Sequence, residues 1–283
     1  MIVAPRARPT LLYAPAMSAP PDGFDEPFLR HLLRAGEEAC AVGSAIVAAA
    51  RRPSVADAKG AGDYVTEADR RSEDAIREHL ARATPDIPTL GEEAGGERGD
   101  VYWAVDPLDG TTNFLLGLPV VGVSVALVAS SRPVIGAVRA PFLDLAFSGA
   151  RGLGAFAGER PLRVSDRRPD RAVVATGFPF RHKDLLPRYL PAFETVLREA
   201  EDLRRAGAAA LDLAWVAAAV FDGFFELGLS VWDVAAGGLL VQEAGGLVTD
   251  WDGRSAYLGG DVLAGSPATH RLLRRAATAS DGA

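Results

Sequence analysis

The sequence contains a single cysteine, Cys40, among its 283 residues. One thiol cannot form an intramolecular disulfide or a zinc site built from several cysteines, and scarce cysteine is typical of a reducing compartment. We therefore predict a cytoplasmic protein. The four histidines have no metal-ligand spacing and are expected to be ordinary surface or core residues. No run of about 18 residues is free of charged and turn-forming residues, so neither a membrane span nor a membrane partner is expected.

Positive charge is also scarce. Lys and Arg number 30 against 37 Asp and Glu, which gives a net charge of −7. No segment collects enough basic residues to follow a nucleic-acid backbone, so DNA is not an expected partner. An acidic protein can still bind a phosphate group where metal cations or helix N-termini supply local positive charge. Clusters of carboxylates are therefore the features to search for.

The remaining composition is that of a globular protein, with 48% hydrophobic residues. Residues 1–23 are rich in Pro and Ala and show no helical or strand periodicity, so we predict a disordered N-terminal extension. Over 24–52, apolar residues recur every three or four positions, which predicts an amphipathic helix. A loop is expected over 59–63, and a second helix over 67–83 with Thr66 as its N-cap.

Strand signals divide the rest of the chain into two halves. Short β-branched runs between 101 and 138 predict strands, and the first half, 24–162, is expected to place two helices on a largely antiparallel sheet. Strands and helices alternate beyond 163, which predicts an α/β half over 163–277 and a polar tail over 278–283. The helices of the second half are expected over 187–200, 208–219, 233–244 and 267–277.

The segment 103–114 combines an apolar strand with two carboxylates. The strand is expected to end at Asp106, Pro107 to force a turn, and Asp109 to follow three residues later. One tight loop then aims both carboxylates at one point, where they repel each other unless a cation lies between them. Oxygen ligands suit Mg²⁺ better than Zn²⁺. Because Asp, Pro and Gly are common in turns, a simple turn is the alternative.

Further features accompany this segment. The backbone N–H groups and hydroxyls of Gly110-Thr111-Thr112 suit an anion at the start of a helix or turn. Glu92 lies upstream in Gly91-Glu92-Glu93, and Asp233 opens a downstream segment rich in Ala and Gly. Taken singly, a Glu pair is usually a solvated surface feature, and a lone Asp at a helix start is usually an N-cap.

Taken together, the three acidic elements resemble the signature of the inositol monophosphatase family. The signature reads Gly-Glu-Glu at 91–93, Asp-Pro-x-Asp-Gly-Thr-x-Asn-Phe at 106–114 and Trp-Asp-x-Ala-Ala-Gly at 232–237. The resemblance runs from about Phe28 to Leu273. It implies a layered αβαβα sandwich of mixed α/β class, and a lithium-sensitive, Mg²⁺-dependent phosphoric monoester hydrolase that forms a homodimer.

The resemblance also implies a role for each matching residue. The ligands of two Mg²⁺ ions would be Glu92, Asp106, the carbonyl of Leu108, Asp109 and Asp233, with Asp106 bridging both ions. Thr111, Asp69 and Glu92 would orient the attacking water. The N–H groups of Gly110 and Thr111 would hold the phosphate, which is how donors stabilise charge in phosphoryl transfer.

The same resemblance assigns the residues that contact the substrate alcohol. These would be Lys59, Asp109, Ala209 and Glu226. The spacing from Lys59 to Asp69 is one residue shorter than in the family. Ala208 replaces the Ser or Thr of many members, which removes a hydroxyl from the substrate wall.

The substrate class remains open within this reading. We predict hydrolysis of a phosphate monoester on a small polyol, with inositol 1-phosphate as the first candidate. Histidinol phosphate, fructose 1,6-bisphosphate and 3′-phosphoadenosine 5′-phosphate are the alternatives. A non-catalytic regulatory partner of an RNA-associated complex is the alternative function, and the intact acidic residues favour the enzyme.

Overall fold

The N-terminal helix follows the predicted periodicity. The computed structural model describes residues 23–50, 57–60 and 63–279, except for the side chains of 57–60, 63 and 279. Helix α1 (Glu26–Ala49) begins after Asp25, whose carboxylate accepts the N–H of Phe28 at 2.9 Å. The predicted extension lies outside the described residues apart from Gly23.

A short antiparallel hairpin stands where a loop was predicted. Its strands are β1 (Asp57–Gly60) and β2 (Asp63–Val65), with Ala58 paired to Tyr64. The loop prediction over 59–63 is therefore wrong for Lys59, Gly60 and Asp63, because cross-strand pairing overrides the local Gly-rich pattern. Residues 61–62 lie outside the described part of the chain.

Helix α2 (Glu67–Ala83) begins where the sequence indicated. Thr66 Oγ1 accepts the N–H of Ala68 at 3.2 Å, and the Asp69 carboxylate accepts the N–H of Thr66 at 2.9 Å. This reciprocal capping box satisfies two backbone donors that the first turn leaves without helical partners.

The first sheet has seven strands in sequence order, antiparallel except for the first pair. Its strands are β3 (Thr89–Gly91), β4 (Val101–Asp109), β5 (Gly122–Ala129), β6 (Arg132–Ala140), β7 (Leu145–Ala150), β8 (Gly154–Ala157) and β9 (Arg160–Pro161). The short helix α3 (Thr111–Leu116) lies between β4 and β5. The prediction of a largely antiparallel sheet in this half is confirmed.

The second sheet has five strands in the order β11-β10-β12-β14-β13. These are β10 (Val173–Thr176), β11 (Asp202–Arg204), β12 (Gly223–Glu226), β13 (Leu247–Thr249) and β14 (Val262–Gly265). Strand β10 is parallel to β11 and to β12, whereas β14 is antiparallel to both of its neighbours. The carboxyl ends of β10, β11 and β12 therefore meet at one edge of the sheet.

The four predicted helices of the second half are all present. They are α4 (Leu186–Glu199), α5 (Ala209–Ala217), α6 (Val231–Glu243) and α7 (Pro267–Ala279). Helix α6 begins two residues earlier than predicted. The predicted tail starts two residues too early, because α7 continues through Ala279, and 280–283 lie outside the described residues.

Helices and sheets alternate in five layers. Helices α1 and α2 cover one face of the seven-stranded sheet, α5 and α6 lie between the two sheets, and α4 and α7 cover the far side of the five-stranded sheet. The predicted αβαβα sandwich is confirmed. The division into halves at 163 stays a prediction, since α5 and α6 contact both sheets. None of the described helices is long and apolar enough to cross a membrane.

Candidate active site

A bulge in β4 brings two carboxylates to the same face of the sheet. Asp106 pairs with Ser124 and Asp109 with Gly122, so three steps along β4 match two along β5. In a regular strand, residues three apart point to opposite faces, and the extra residue reverses this. The predicted turn at Pro107 is therefore wrong. The chain stays in β4 through Asp109, and a bulge tolerates a proline because it requires no ladder N–H at that position.

Helix α5 is capped from a distant part of the chain. Its own N-cap residue, Ala208, makes no side-chain hydrogen bond to the helix, and the Asp109 carboxylate accepts the N–H of Ala210 at 2.8 Å. Asn113 makes a second link, because its side chain donates to the carbonyls of Val120 and Ala206 at 2.8 and 2.9 Å. The β4–α3 segment is thereby fixed to the start of α5.

Thr111 and Asp69, which are expected to orient a water, lie together at the start of α3. Thr111 Oγ1 lies 3.4 Å from the Asp69 carboxylate and 3.3 Å from the Leu108 carbonyl oxygen. Asp69 also accepts a short hydrogen bond from the Thr66 hydroxyl, and burial raises the pKa of its carboxyl. Gly110 has φ of +91°, which favours glycine at the turn between Asp109 and α3.

Two further carboxylates approach the bulge from other elements. Glu92 follows β3, is half-buried, and donates its N–H to the Val105 carbonyl at 3.2 Å. Asp233 occupies the first turn of α6 and accepts the N–H of Ser230 at 2.6 Å in a capping box. The capping alternative for Asp233 is thus correct as local geometry, with Ser230 as the N-cap, and the same carboxylate also faces the cavity beside Asp106.

Burial and mutual repulsion oppose ionisation in this cluster. Burial raises the pKa of Asp106 well above its ordinary value, and Glu92, Asp109 and Asp233 raise it further. Burial and then the charge of Asp233 raise the pKa of Asp109 to about 7. Burial likewise raises the pKa of Asp233, and the hydrogen bond from the Ser230 N–H and then the charge of Arg181 oppose that rise. A bound cation would remove this repulsion.

The donor chemistry fits a hard divalent cation that keeps other ligands. Within the described part of the chain, no three His, Cys, Asp or Glu side chains are arranged to hold a metal by themselves. The carboxylates nevertheless line one cavity and interact electrostatically with one another. Mg²⁺ is commonly held by one or two carboxylates together with waters and substrate phosphate oxygens, so an incomplete protein shell is consistent with it.

These groups line a cavity of about 560 Å³ whose wall includes residues from elements of both sheets. The predicted residues on its wall are Glu92, Asp106, Leu108, Asp109, Gly110, Thr111, Ala209, Glu226 and Asp233. Asp69 lies behind the wall and reaches the site through Thr111. Lys59 belongs to β1, and its side chain lies outside the described part, so its role remains a prediction.

One wall of the cavity was not predicted from the sequence. Residues 177–182 follow β10 and Arg205 follows β11, at the shared carboxyl edge of the parallel strands. The Arg205 guanidinium lies 5.8 and 5.3 Å from the ring centroids of Phe178 and Phe180. His182, expected to be an ordinary residue, is exposed on this wall. The available signal was the βαβ alternation, since ligands often bind at the carboxyl ends of parallel strands.

Glu226 stands at the end of β12 against this wall. Its side chain is half-buried, and burial followed by repulsion from Asp233 raises its pKa to about 8, against the opposing charge of Arg205. A Cβ atom at Gly177 would overlap the Glu226 carboxylate. The glycine therefore makes the space in which this carboxylate sits.

Comparison with known proteins identifies the family. Residues 29–281 match the inositol monophosphatase family. Over 223 residues the chain is 45% identical to an inositol-1-monophosphatase of Mesorhizobium japonicum, covering 77% of this chain and 84% of the relative. Over 259 residues it is 44% identical to the Nus factor SuhB of Pseudomonas aeruginosa, covering 88% and 94%.

A solved structure shares the layered fold. The inositol monophosphatase of Anabaena matches with a TM-score of 0.79 and 36% identity, covering 88% of this chain and 96% of that chain. Members of the family are generally metal-dependent. The chain belongs to the inositol monophosphatase family, a family of phosphoric monoester hydrolases.

Proposed function

We propose that this chain is a Mg²⁺-dependent phosphatase that hydrolyses a phosphate monoester of a small polyol, with inositol 1-phosphate as the first candidate substrate. The observation that carries the proposal is the carboxylate cluster on the cavity wall, formed by Glu92, Asp106, Asp109 and Asp233. These groups come from three separate parts of the fold. Cations bound among these carboxylates during function would offset their mutual repulsion.

The cation ligands are proposed to be these carboxylates and the Leu108 carbonyl, with Asp106 shared between two ions. When bound there, Mg²⁺ would supply activation of a water nucleophile and neutralisation of charge on the leaving oxygen. The chain itself orients the reactants. The Thr111 hydroxyl, between the Asp69 carboxylate and the Leu108 carbonyl, can direct a water toward the phosphorus together with Glu92. The N–H groups of Gly110 and Thr111 are proposed to bind phosphate oxygens.

The alcohol portion of the substrate is proposed to lie toward the second sheet. Glu226 supplies an acceptor for a hydroxyl, and Ala209 supplies backbone surface at the start of α5. Asp109 lies between the phosphate and alcohol sides, and Lys59 is proposed to approach from the β1 hairpin. Ala208 leaves this wall without the hydroxyl that Ser or Thr would supply. The resulting wall favours a compact polyol held through few side-chain contacts.

A phosphate-release screen tests this function directly. The purified chain would be assayed with Mg²⁺ against inositol 1-phosphate, histidinol phosphate, fructose 1,6-bisphosphate and 3′-phosphoadenosine 5′-phosphate. We expect the largest kcat/KM for inositol 1-phosphate and loss of release in EDTA. A clear preference for another ester would replace the substrate, and absence of release from all four would contradict the enzymatic proposal.

A second role is favoured by one specific observation, the name Nus factor that the Pseudomonas aeruginosa relative carries. We propose this role as an addition to catalysis, in which the folded chain acts as a partner of an RNA-associated complex. A pull-down with Asp106→Asn would separate the two roles. The variant should retain the partner while losing phosphatase activity, and loss of both together would tie the second role to catalysis.

The assembly and compartment are also proposals. We propose a homodimer in the cytoplasm, on the basis of the family resemblance and the single cysteine. Sedimentation equilibrium of the purified chain would measure the mass in solution. A species with the mass of a single chain at micromolar concentration would contradict the dimer.

A further inference from the structure

Helix α2 presents polar residues on a face that packs against the seven-stranded sheet. Asp69, Ser72 and Glu73 are 1%, 0% and 1% exposed, and Ile76 and Leu80 continue the same face one and two turns later. Positions three and four apart in a helix lie on one side. Buried polar groups are costly unless they are hydrogen-bonded. The partners of these three side chains therefore indicate what the face is for.

Each of the three side chains binds a different part of the candidate site. Asp69 contacts Thr111 at the start of α3, and the Ser72 hydroxyl donates to the Pro107 carbonyl at 2.9 Å, within the bulge between Asp106 and Asp109. Glu73 binds the turn that carries Glu92, as described next. Helix α2 thus contacts both segments of the first half that supply a proposed metal ligand, the bulge of β4 and the turn after β3.

Glu73 holds its turn through both carboxylate oxygens. One oxygen accepts the N–H of Glu93 at 2.7 Å, and the other accepts the N–H of Ala94 at 3.0 Å. A Cβ at Gly91 would overlap this carboxylate, so glycine is needed for the close approach. Arg77, one turn along α2, lies 3.3 Å from Glu73 and donates to the Gly95 carbonyl at 2.9 Å. Helix α2 therefore holds the turn through the three residues that directly follow Glu92.

We propose that Glu73 is a positioning residue that fixes Glu92 for metal binding and for orienting the attacking water. The proposal rests on the function proposed above, because it assigns Glu73 no contact with substrate. The carboxylate is suited to this task because it offers an acceptor to each of two adjacent N–H groups, and hydrogen bonds to an ionised acceptor are stronger than neutral ones. Without it, the turn loses the bonds that set the direction of the Glu92 side chain.

The informative variant is Glu73→Gln. Its side-chain amide has one acceptor and one N–H₂ group, so one of the two turn N–H groups would face a donor. Glu78→Gln is the matched control, since Glu78 lies on α2, is exposed and pairs with Arg82. Removal of a group that orients a metal ligand typically costs about 10- to 100-fold in metal affinity or activity.

The test combines metal binding, amide exchange and kinetics. Mn²⁺ binding would be followed by electron paramagnetic resonance without substrate, and hydrogen exchange would be followed at the amides of Glu93 and Ala94. For Glu73→Gln we expect Mn²⁺ affinity and kcat each to fall about 10- to 100-fold, KM to change less, and both amides to exchange faster. Glu78→Gln should match the wild type in all four measurements.

The outcomes separate this inference from the proposed function. Faster exchange with unchanged Mn²⁺ affinity and kcat would reduce Glu73 to a structural role and overturn the inference. The wild type could release no phosphate from any ester while Glu73→Gln still binds Mn²⁺ more weakly than the wild type does. That result would support the positioning role and reject the phosphatase. Should Glu73→Gln fail to fold, Glu73→Asp, which keeps the charge but withdraws the oxygens by one methylene, serves for the same measurements and the same criteria.

Discussion

Replacing Asp109 by Asn should stabilise the metal-free protein while abolishing its activity. Burial and the charge of Asp233 raise the pKa of the Asp109 carboxyl from 3.8 to about 7. Each tenfold change in a protonation equilibrium corresponds to about 1.4 kcal/mol. Keeping this carboxylate ionised above pH 7 therefore costs the folded state roughly 4 kcal/mol at most, by the same conversion. Asn removes the charge and keeps an oxygen that can accept the N–H of Ala210.

The sign follows from proton linkage. The folded state binds the Asp109 proton more tightly than the unfolded state, so the free energy of unfolding falls as the pH rises from about 4 to about 7 and changes no further above that range. Part of the repulsion is shared with Asp233, so we expect Asn to recover about 2–4 kcal/mol at pH 8. At roughly 2 °C per kcal/mol for a chain of this size, Tm should rise by about 4–8 °C.

Thermal unfolding in EDTA and in Mg²⁺ measures this effect. In EDTA the variant should be more stable than the wild type at pH 8, and the difference should vanish near pH 4. Saturating Mg²⁺ should raise the Tm of the wild type, because a ligand that binds only the folded state stabilises it, and should raise that of the variant much less. Asp74→Asn, an exposed change on α2, should alter Tm by less than about 1 °C. A destabilised Asp109→Asn in EDTA at pH 8 would refute the electrostatic reasoning.

Three further outcomes are expected. Asp106→Asn should abolish phosphate release without lowering Tm in EDTA, because it removes the carboxylate proposed to be shared by two cations; near-normal release with the same Mg²⁺ dependence would show that the two-metal assignment is wrong. Glu226→Gln should raise the activation free energy that governs kcat/KM for inositol 1-phosphate by about 1–3 kcal/mol and weaken selection among alcohols, as measured in the substrate screen. A uniform loss of kcat/KM for every ester would place Glu226 in the chemistry instead. Li⁺ at limiting Mg²⁺ should inhibit turnover, since the proposed second metal position keeps its carboxylates; unchanged rates would separate this chain from lithium-sensitive relatives.

The sequence alone determined the longer helices and pointed to the acidic residues proposed for the site. Helical periodicity and the Thr66 cap located α1 and α2, because these signals depend on residues only a few positions apart. The three acidic elements indicated the family and the proposed ligands from their order and internal spacing. Their local geometry was less accessible. The bulge at Pro107 depends on how β4 pairs with β5, and no turn rule includes that pairing.

Only the tertiary structure decided which groups share the site and how they affect one another. Asp109 caps a helix that begins 100 positions later in the chain, and residues 177–182 and Arg205 form a wall because three parallel strands end at one edge. In the sequence, nothing distinguishes Glu73 from other helical glutamates. In the structure, its carboxylate binds the turn that carries Glu92. Local patterns record which face of an element is apolar, whereas burial, repulsion and hydrogen bonding between distant residues arise only when those faces pack together.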